Sequence, residues 1–183
     1  MRVIDFFDRG ADRFPDRPAL VSAGDSLTYA QARERSGRIA AALEARGLPA
    51  DAKIAIYSPN DIRALLCVLA TLRRGNVWVT LNARSAIEEN IYILQNTECS
   101  CLFYHSDFAH HLDRIRREAP GLTALICLDR ADDGAPSLEQ FVHYAIDAPP
   151  PAPIADDPMR LATLFSTGGT TGRPKGVMWT NLT

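Results

Sequence analysis

Residues 53–81 read KIAIYSPNDIRALLCVLATLRRGNVWVTL, and their pattern decides the fold. Lys53 to Ser58 is a short apolar run of the kind that forms a buried strand. Asn60-Asp61 then opens a helix whose Leu65, Leu66, Leu69 and Leu72 fall on one stripe. Its basic last turn, Arg73-Arg74, suits the negative end of the helix dipole, and Gly75 stops it. Val77 to Leu81 reads as the next strand. A strand, a helix and a second strand joined this closely favour parallel pairing through a helical crossover.

The same alternation extends outward on both sides. Upstream, Ile4 to Phe14 carries Phe6, Phe7, Ala11 and Phe14 near helical spacing, and Pro15 ends it. Ala19-Leu20-Val21 and Leu27-Thr28-Tyr29 flank Gly24-Asp25 as a short hairpin. Thr28-x-x-Gln31 offers a capping box for a helix from Ala30 to Arg46, with Gly47 in the stop position. Downstream, Ser85-x-x-Glu88 offers a cap for a helix with Ile87, Ile91 and Leu94 facing inward. Strands follow at Cys101 to Tyr104 and Ala124 to Leu128, separated by a charged helix from about Phe108 to Glu118. Ser137-x-x-Gln140 starts another helix, and Leu161 to Phe165 is an apolar strand. The expected fold is α/β, a mainly parallel sheet flanked by helices. Pro149 to Pro153 reads as a stiff extended connection within the domain.

Bulk properties narrow the function. At 183 residues the chain is long enough for one full-sized domain. A net charge of −2 with both signs interspersed gives no basic footprint for nucleic acid. The first ten residues include Asp5 and Asp8, unlike a signal peptide. The longest apolar run, Ala64 to Leu72, is about half the length of a transmembrane segment. The expectation is a cytoplasmic protein. Cys67, Cys99, Cys101 and Cys127 sit in apolar stretches without zinc or redox spacing, so they are expected as buried thiols. His110-His111 point to different sides of any regular element and read as surface. His105 and His143 have no sequence neighbour that would make either a catalytic base.

Chemistry concentrates in Ser166-Thr167-Gly168-Gly169-Thr170-Thr171-Gly172-Arg173-Pro174-Lys175-Gly176. Glycines let backbone N–H groups approach phosphate oxygens without a Cβ in the way. Threonine hydroxyls add neutral donors, and Lys175 adds a full positive charge. A Walker A loop is excluded, because there the lysine precedes Ser or Thr at the start of a helix. Here Lys175 precedes Gly176 and the strand-like Val177-Met178-Trp179, so a strand–loop–strand hairpin is expected. The plain alternative is an ordinary flexible surface loop; the fixed Thr-Thr-Gly-x-Pro-Lys-Gly order weighs against it.

This stretch resembles the signature loop of the adenylate-forming superfamily of acyl- and aryl-CoA synthetases, adenylation domains and luciferases. Leu27-Thr28-Tyr29, the run from Leu72 to Asn82, and Asp156-Asp157-Pro158 are similar to further segments of that family. The resemblance implies attack of a carboxylate on the α-phosphate of ATP, giving an acyl-adenylate and pyrophosphate, then transfer to a thiol, usually coenzyme A. It further implies that Thr167, Gly168, Gly169, Thr170, Thr171 and Gly172 cradle phosphates. Lys175, the implied catalytic residue, would neutralise charge beside Mg²⁺.

Three positions depart from the family pattern. Gly168 stands where many members have serine; with Val177-Met178-Trp179 this is similar to a bacterial acyl-CoA synthetase subgroup and points to a fatty or related acid. Thr80 stands where proline is usual, which reads as local packing. No histidine follows the lysine–glycine pair. Family members run to over five hundred residues, so 1–183 is expected to be an incomplete N-terminal AMP-binding domain, inactive alone. An adenylation domain that loads a carrier protein, or a non-catalytic remnant, stays open as an alternative.

Overall fold

The computed structural model describes residues 1–22, 24–132, 134–167 and 175–182. In chain order the elements are α1 (Val3–Arg13), β1 (Pro18–Ser22), β2 (Asp25–Thr28), α2 (Tyr29–Ala45), β3 (Lys53–Tyr57), α3 (Ile62–Arg73), β4 (Val77–Thr80) and α4 (Ile87–Asn96). Then come β5 (Cys101–Tyr104), a 3-10 turn (Ser106–His111) leading into α5 (Leu112–Glu118), β6 (Ala124–Cys127), α6 (Leu138–His143), β7 (Leu161–Thr167) and β8 (Lys175–Thr180).

Six strands form one sheet in the order β6-β5-β3-β4-β7-β8. Every pairing is parallel except β7 with β8. The expected α/β class and mainly parallel sheet are therefore what the chain adopts. β1 and β2 pair separately as an antiparallel hairpin.

Because successive strand residues face opposite ways, each central strand feeds two cores. Ile54, Ile56, Phe103 and Ile126 pack with Ile39, Leu43 and Leu66 of α2 and α3 and with Phe141 of α6. Ala55, Val79, Leu102 and Tyr104 pack on the other face with Ile91 and Leu94 of α4 and Ile115 of α5. The helices that follow β3 and β4 thus cover opposite faces. That places a crevice at the carboxyl ends of those two strands. A cleft of about 490 Å³ opens there, lined by Ile56, Ser58, Asp61, Trp78, Thr80 and Leu81 among others.

Local signals set most of the boundaries. Thr28 Oγ1 accepts from Gln31 N–H at 3.2 Å while Gln31 Oε1 accepts from Thr28 N–H at 2.9 Å, the expected reciprocal box. Ser137 and Gln140 repeat it at 3.1 and 3.0 Å. Asp61 caps α3 through Arg63 N–H at 2.6 Å. Gly75 ends α3 at φ 74°, where the Ile154 side chain would stand 3.0 Å from an added Cβ.

Three expectations need correction. Ser85 and Glu88 form no box: α4 begins after Ala86, without a side-chain cap, and Glu88 is drawn to Arg114. The predicted continuous helix from Phe108 to Glu118 divides, a 3-10 turn running to His111 and α-helix only from Leu112. Leu65 does not share the buried stripe of Leu66 and Leu69; it is 43% exposed at the cleft. The proline segment carries neither helix nor strand and lies mostly exposed, with Ala152 N–H donating to Glu44 Oε2 at 3.2 Å. Among the described residues, no helix is long and apolar enough to cross a membrane.

Candidate functional site

The glycine–threonine segment begins where β7 leaves the sheet. Thr167, the last residue of β7, is the register partner of Lys175, the first of β8. Thr167 Oγ1 donates to the Lys175 carbonyl at 3.3 Å, closing the mouth of the hairpin. Lys175 opens a strand rather than a helix, as the contrast with a Walker loop requires. Gly168, Gly169, Thr170, Thr171 and Gly172 lie outside the described residues. Among the described residues no carboxylate forms an ion pair with Lys175, and both Thr167 and Lys175 are exposed. The charge is therefore available to an anion.

The stem is braced from its inner side. β4 pairs with β7 only at Trp78–Thr163 and Val79–Leu164. Rings continue the contact: Phe165 meets Trp78 at 5.6 Å and Trp179 at 5.1 Å between centroids. Thr80 adds a polar link, its hydroxyl donating to Leu164 C=O at 3.4 Å and accepting from Ser166 N–H at 3.3 Å. Thr80, expected as a local packing residue, instead bonds through its hydroxyl to the strand that enters the loop.

The other family-like segments are structural. Leu27 is buried, Thr28 caps α2, and Tyr29 lies against Phe7 and the bare backbone of Gly10. Arg74, nearly fully buried, donates to Pro49 C=O at 3.1 Å and Asn76 Oδ1 at 2.9 Å, fixing the loop before β3. Asp156 pairs with the N-terminal ammonium at 2.6 Å, and Asp157 C=O accepts from Asn181 Nδ2 at 3.0 Å. The Asp-Asp-Pro segment therefore ties α1, β7 and the end of β8 together.

A second polar cluster, which sequence reading missed, stands at the carboxyl ends of β5 and β6. His105 Nε2 lies 3.8 Å from Asp129, and its Nδ1 accepts from Asp107 N–H at 3.2 Å. Ser106 donates twice to Asp129, from its hydroxyl at 2.6 Å and its N–H at 2.9 Å. Burial pushes the Asp129 carboxyl up, but the Ser106 hydroxyl and N–H, the Cys127 thiol and His105 outweigh it and hold the group at about 2. The Ser106 hydroxyl and N–H and the Cys127 thiol all donate to Asp129, so the cluster ties the turn after β5 to the turn after β6. The only sequence signal for it was the polar Asp129 directly after a buried strand.

The cysteines are buried free thiols, as expected. Burial, joined by His110 and Arg114, lowers the pKa of His111, and no group of three His, Cys, Asp or Glu among the described residues could hold a metal ion.

Comparison with known proteins gives these features a context. The family described as AMP-binding enzyme matches residues 7–182. A medium/long-chain-fatty-acid–CoA/3-oxocholest-4-en-26-oate–CoA ligase of Mycolicibacterium smegmatis is 31% identical over 98% of this chain and 33% of its own length. A 3-oxocholest-4-en-26-oate–CoA ligase of Rhodococcus rhodochrous is 29% identical over the same shares, 98% and 33%. The chain thus spans about a third of the length of these curated relatives. Among solved structures, an anthranilate CoA ligase in complex with anthranoyl-AMP superposes with a TM-score of 0.90 at 19% identity, over 99% of this chain and 35% of that one. That likeness shows the shared fold.

Proposed function

The chain belongs to the AMP-binding enzyme family, and from that premise we propose that it takes part in ATP-dependent activation of a carboxylic acid. The acid becomes an acyl-adenylate with release of pyrophosphate, and the coenzyme A thiol then attacks the acyl carbon, forming a thioester and releasing AMP. A fatty or related acid is the proposed substrate class, because the Mycolicibacterium and Rhodococcus relatives are named for fatty and steroid acids. The setting proposed is the cytoplasm.

The observation that carries this reading is the facing pair Thr167–Lys175 at the mouth of a hairpin rich in glycine and threonine. In the proposal, Thr167, Gly168, Gly169, Thr170, Thr171 and Gly172 supply N–H and hydroxyl donors to the β- and γ-phosphates. Lys175, as the catalytic residue, offsets the negative charge that grows on departing pyrophosphate. Donors held in place before the reaction need no reorganisation during it, which is why a braced stem matters. Mg²⁺ enters with ATP as the counter-ion of its phosphates and supplies further charge neutralisation. The described residues assemble no carboxylate or imidazole cluster for a resident ion.

We also infer that residues 1–183 do not complete the reaction unaided, since they correspond to a third of their relatives. Carboxylate-dependent ATP–pyrophosphate exchange by the purified chain would overturn this. Titration with MgATP and with pyrophosphate tests the binding role. Each should displace the other, and Lys175→Ala should weaken both about tenfold or more, the scale of a charge-assisted hydrogen bond. Failure of either anion to bind at millimolar concentration would remove the phosphate role.

A further inference from the structure

We propose that Thr80 is a positioning residue for the phosphate loop: its hydroxyl replaces the missing last rung between β4 and β7 and fixes where Ser166 and Thr167 leave the sheet. The functional half of this inference rests on the phosphate-binding reading above; the geometric half does not.

The argument starts from register. The β4–β7 ladder runs Trp78–Thr163, then Val79–Leu164, and stops. The next position would set Thr80 opposite Phe165. In a parallel ladder, a residue bonds the two groups that flank its partner, one carbonyl and one N–H. Around Phe165 those groups are Leu164 C=O and Ser166 N–H, and both bond the Thr80 hydroxyl, at 3.4 and 3.3 Å. A hydroxyl can give one proton and accept another, so a single oxygen serves both. Valine has the same shape and can do neither. Proline, usual here in the family this chain resembles, lacks the hydroxyl as well.

The location gives the link its consequence. Beyond Ser166 only Thr167 remains before the glycine-rich residues, and on its far side β7 is held by β8, whose residues are largely exposed. Thr80 is thus the last tie between the loop's leading strand and the buried part of the sheet. Moving Ser166 would move Thr167 with it, and with Thr167 the first of the proposed donors.

Amide hydrogen exchange by NMR on the 183-residue chain tests the geometry without any ligand. Thr80→Val should speed exchange at Ser166 N–H by about five- to tenfold, the equivalent of one neutral hydrogen bond. Exchange at Val79 and Leu164 should stay unchanged, which shows that the variant is folded. Thr80→Ser keeps the hydroxyl and should retain the protection at Ser166. Equal exchange at Ser166 in wild type and Thr80→Val, or loss of protection in Thr80→Ser, would overturn the assignment. If Thr80→Val does not fold, the comparison of Thr80→Ser with Thr80→Ala at Ser166 decides in the same way. The second arm measures MgATP affinity, which should fall severalfold in Thr80→Val and recover in Thr80→Ser. If no chain binds ATP, the phosphate reading has failed while the exchange data still decide Thr80. If wild type and Thr80→Val bind ATP alike, the positioning role has failed while the phosphate reading stands.

Discussion

Phe103 and Trp179 are aromatic residues on strands of one sheet, yet they belong to opposite regimes. Phe103, on β5, is fully buried and meets Phe141 edge to face at 6.2 Å. Trp179, on the edge strand β8, is 49% exposed, and its neighbours Val177 and Met178 are exposed at 40% and 69%. The centre of the sheet is clamped by helices on both faces, whereas the hairpin that carries the candidate site is held along one side only. Stability should therefore reside at the centre, and ligand binding at an edge that contributes little to it.

Four measurements can break or sharpen this contrast, and the largest effect belongs to the centre. Phe103→Ala removes a ring from a closed core and should cost ~3–5 kcal/mol in urea unfolding. A loss under ~1 kcal/mol would mean that the core repacks freely and that the division is unfounded. Next in size, Arg74→Ala leaves Leu48 C=O and Asn76 Oδ1 without their buried donor. A cost of ~2–3 kcal/mol follows, without change in ATP affinity.

The third is a pH effect. Asp129 has its pKa depressed to about 2 in the folded chain, against roughly 3.9 for an unfolded aspartate. Its contribution is thus present above about pH 4 and is lost as pH falls toward 2; partial solvent contact limits it to ~1–2 kcal/mol. Unfolding midpoints of wild type and Asp129→Asn should differ at pH 5 and converge near pH 2. A constant difference would assign the effect to packing. The smallest stability change belongs to the edge: Lys175→Ala should stay within ~0.5 kcal/mol of wild type while losing anion affinity. A destabilised Lys175→Ala chain would show that the edge is structural after all.

Legibility in the sequence follows the range of each interaction. The boxes at Thr28 and Ser137 and the cap at Asp61 involve residues two or three apart, so a short window holds both partners. Ser85 and Glu88 have the same spacing and fail, because Arg114, 26 residues away, takes the Glu88 carboxylate. The Ser106–Asp129 pairing spans 23 residues and the Thr80–Ser166 link 86, beyond any local pattern. Leu65 misled for a related reason. Periodicity places it beside Leu66 and Leu69, but only packing decides that the stripe ends before it, at an open cleft. In the candidate site, Thr167 and Lys175 were legible from composition and order. Their bracing by Thr80, Trp78 and Phe165 was not, since a strand pairing had to bring those residues together first.

The four buried thiols have a practical consequence. Cys67, Cys99, Cys101 and Cys127 are all closed to solvent, and burial raises the pKa of each. An alkylating dye therefore finds no reactive thiolate on the folded surface. A cysteine introduced at Met178 could carry a fluorophore alone, with none of the natural thiols replaced. The same shielding makes labelling of the native four a clock for opening of the sheet's centre, read by mass in an otherwise unaltered chain.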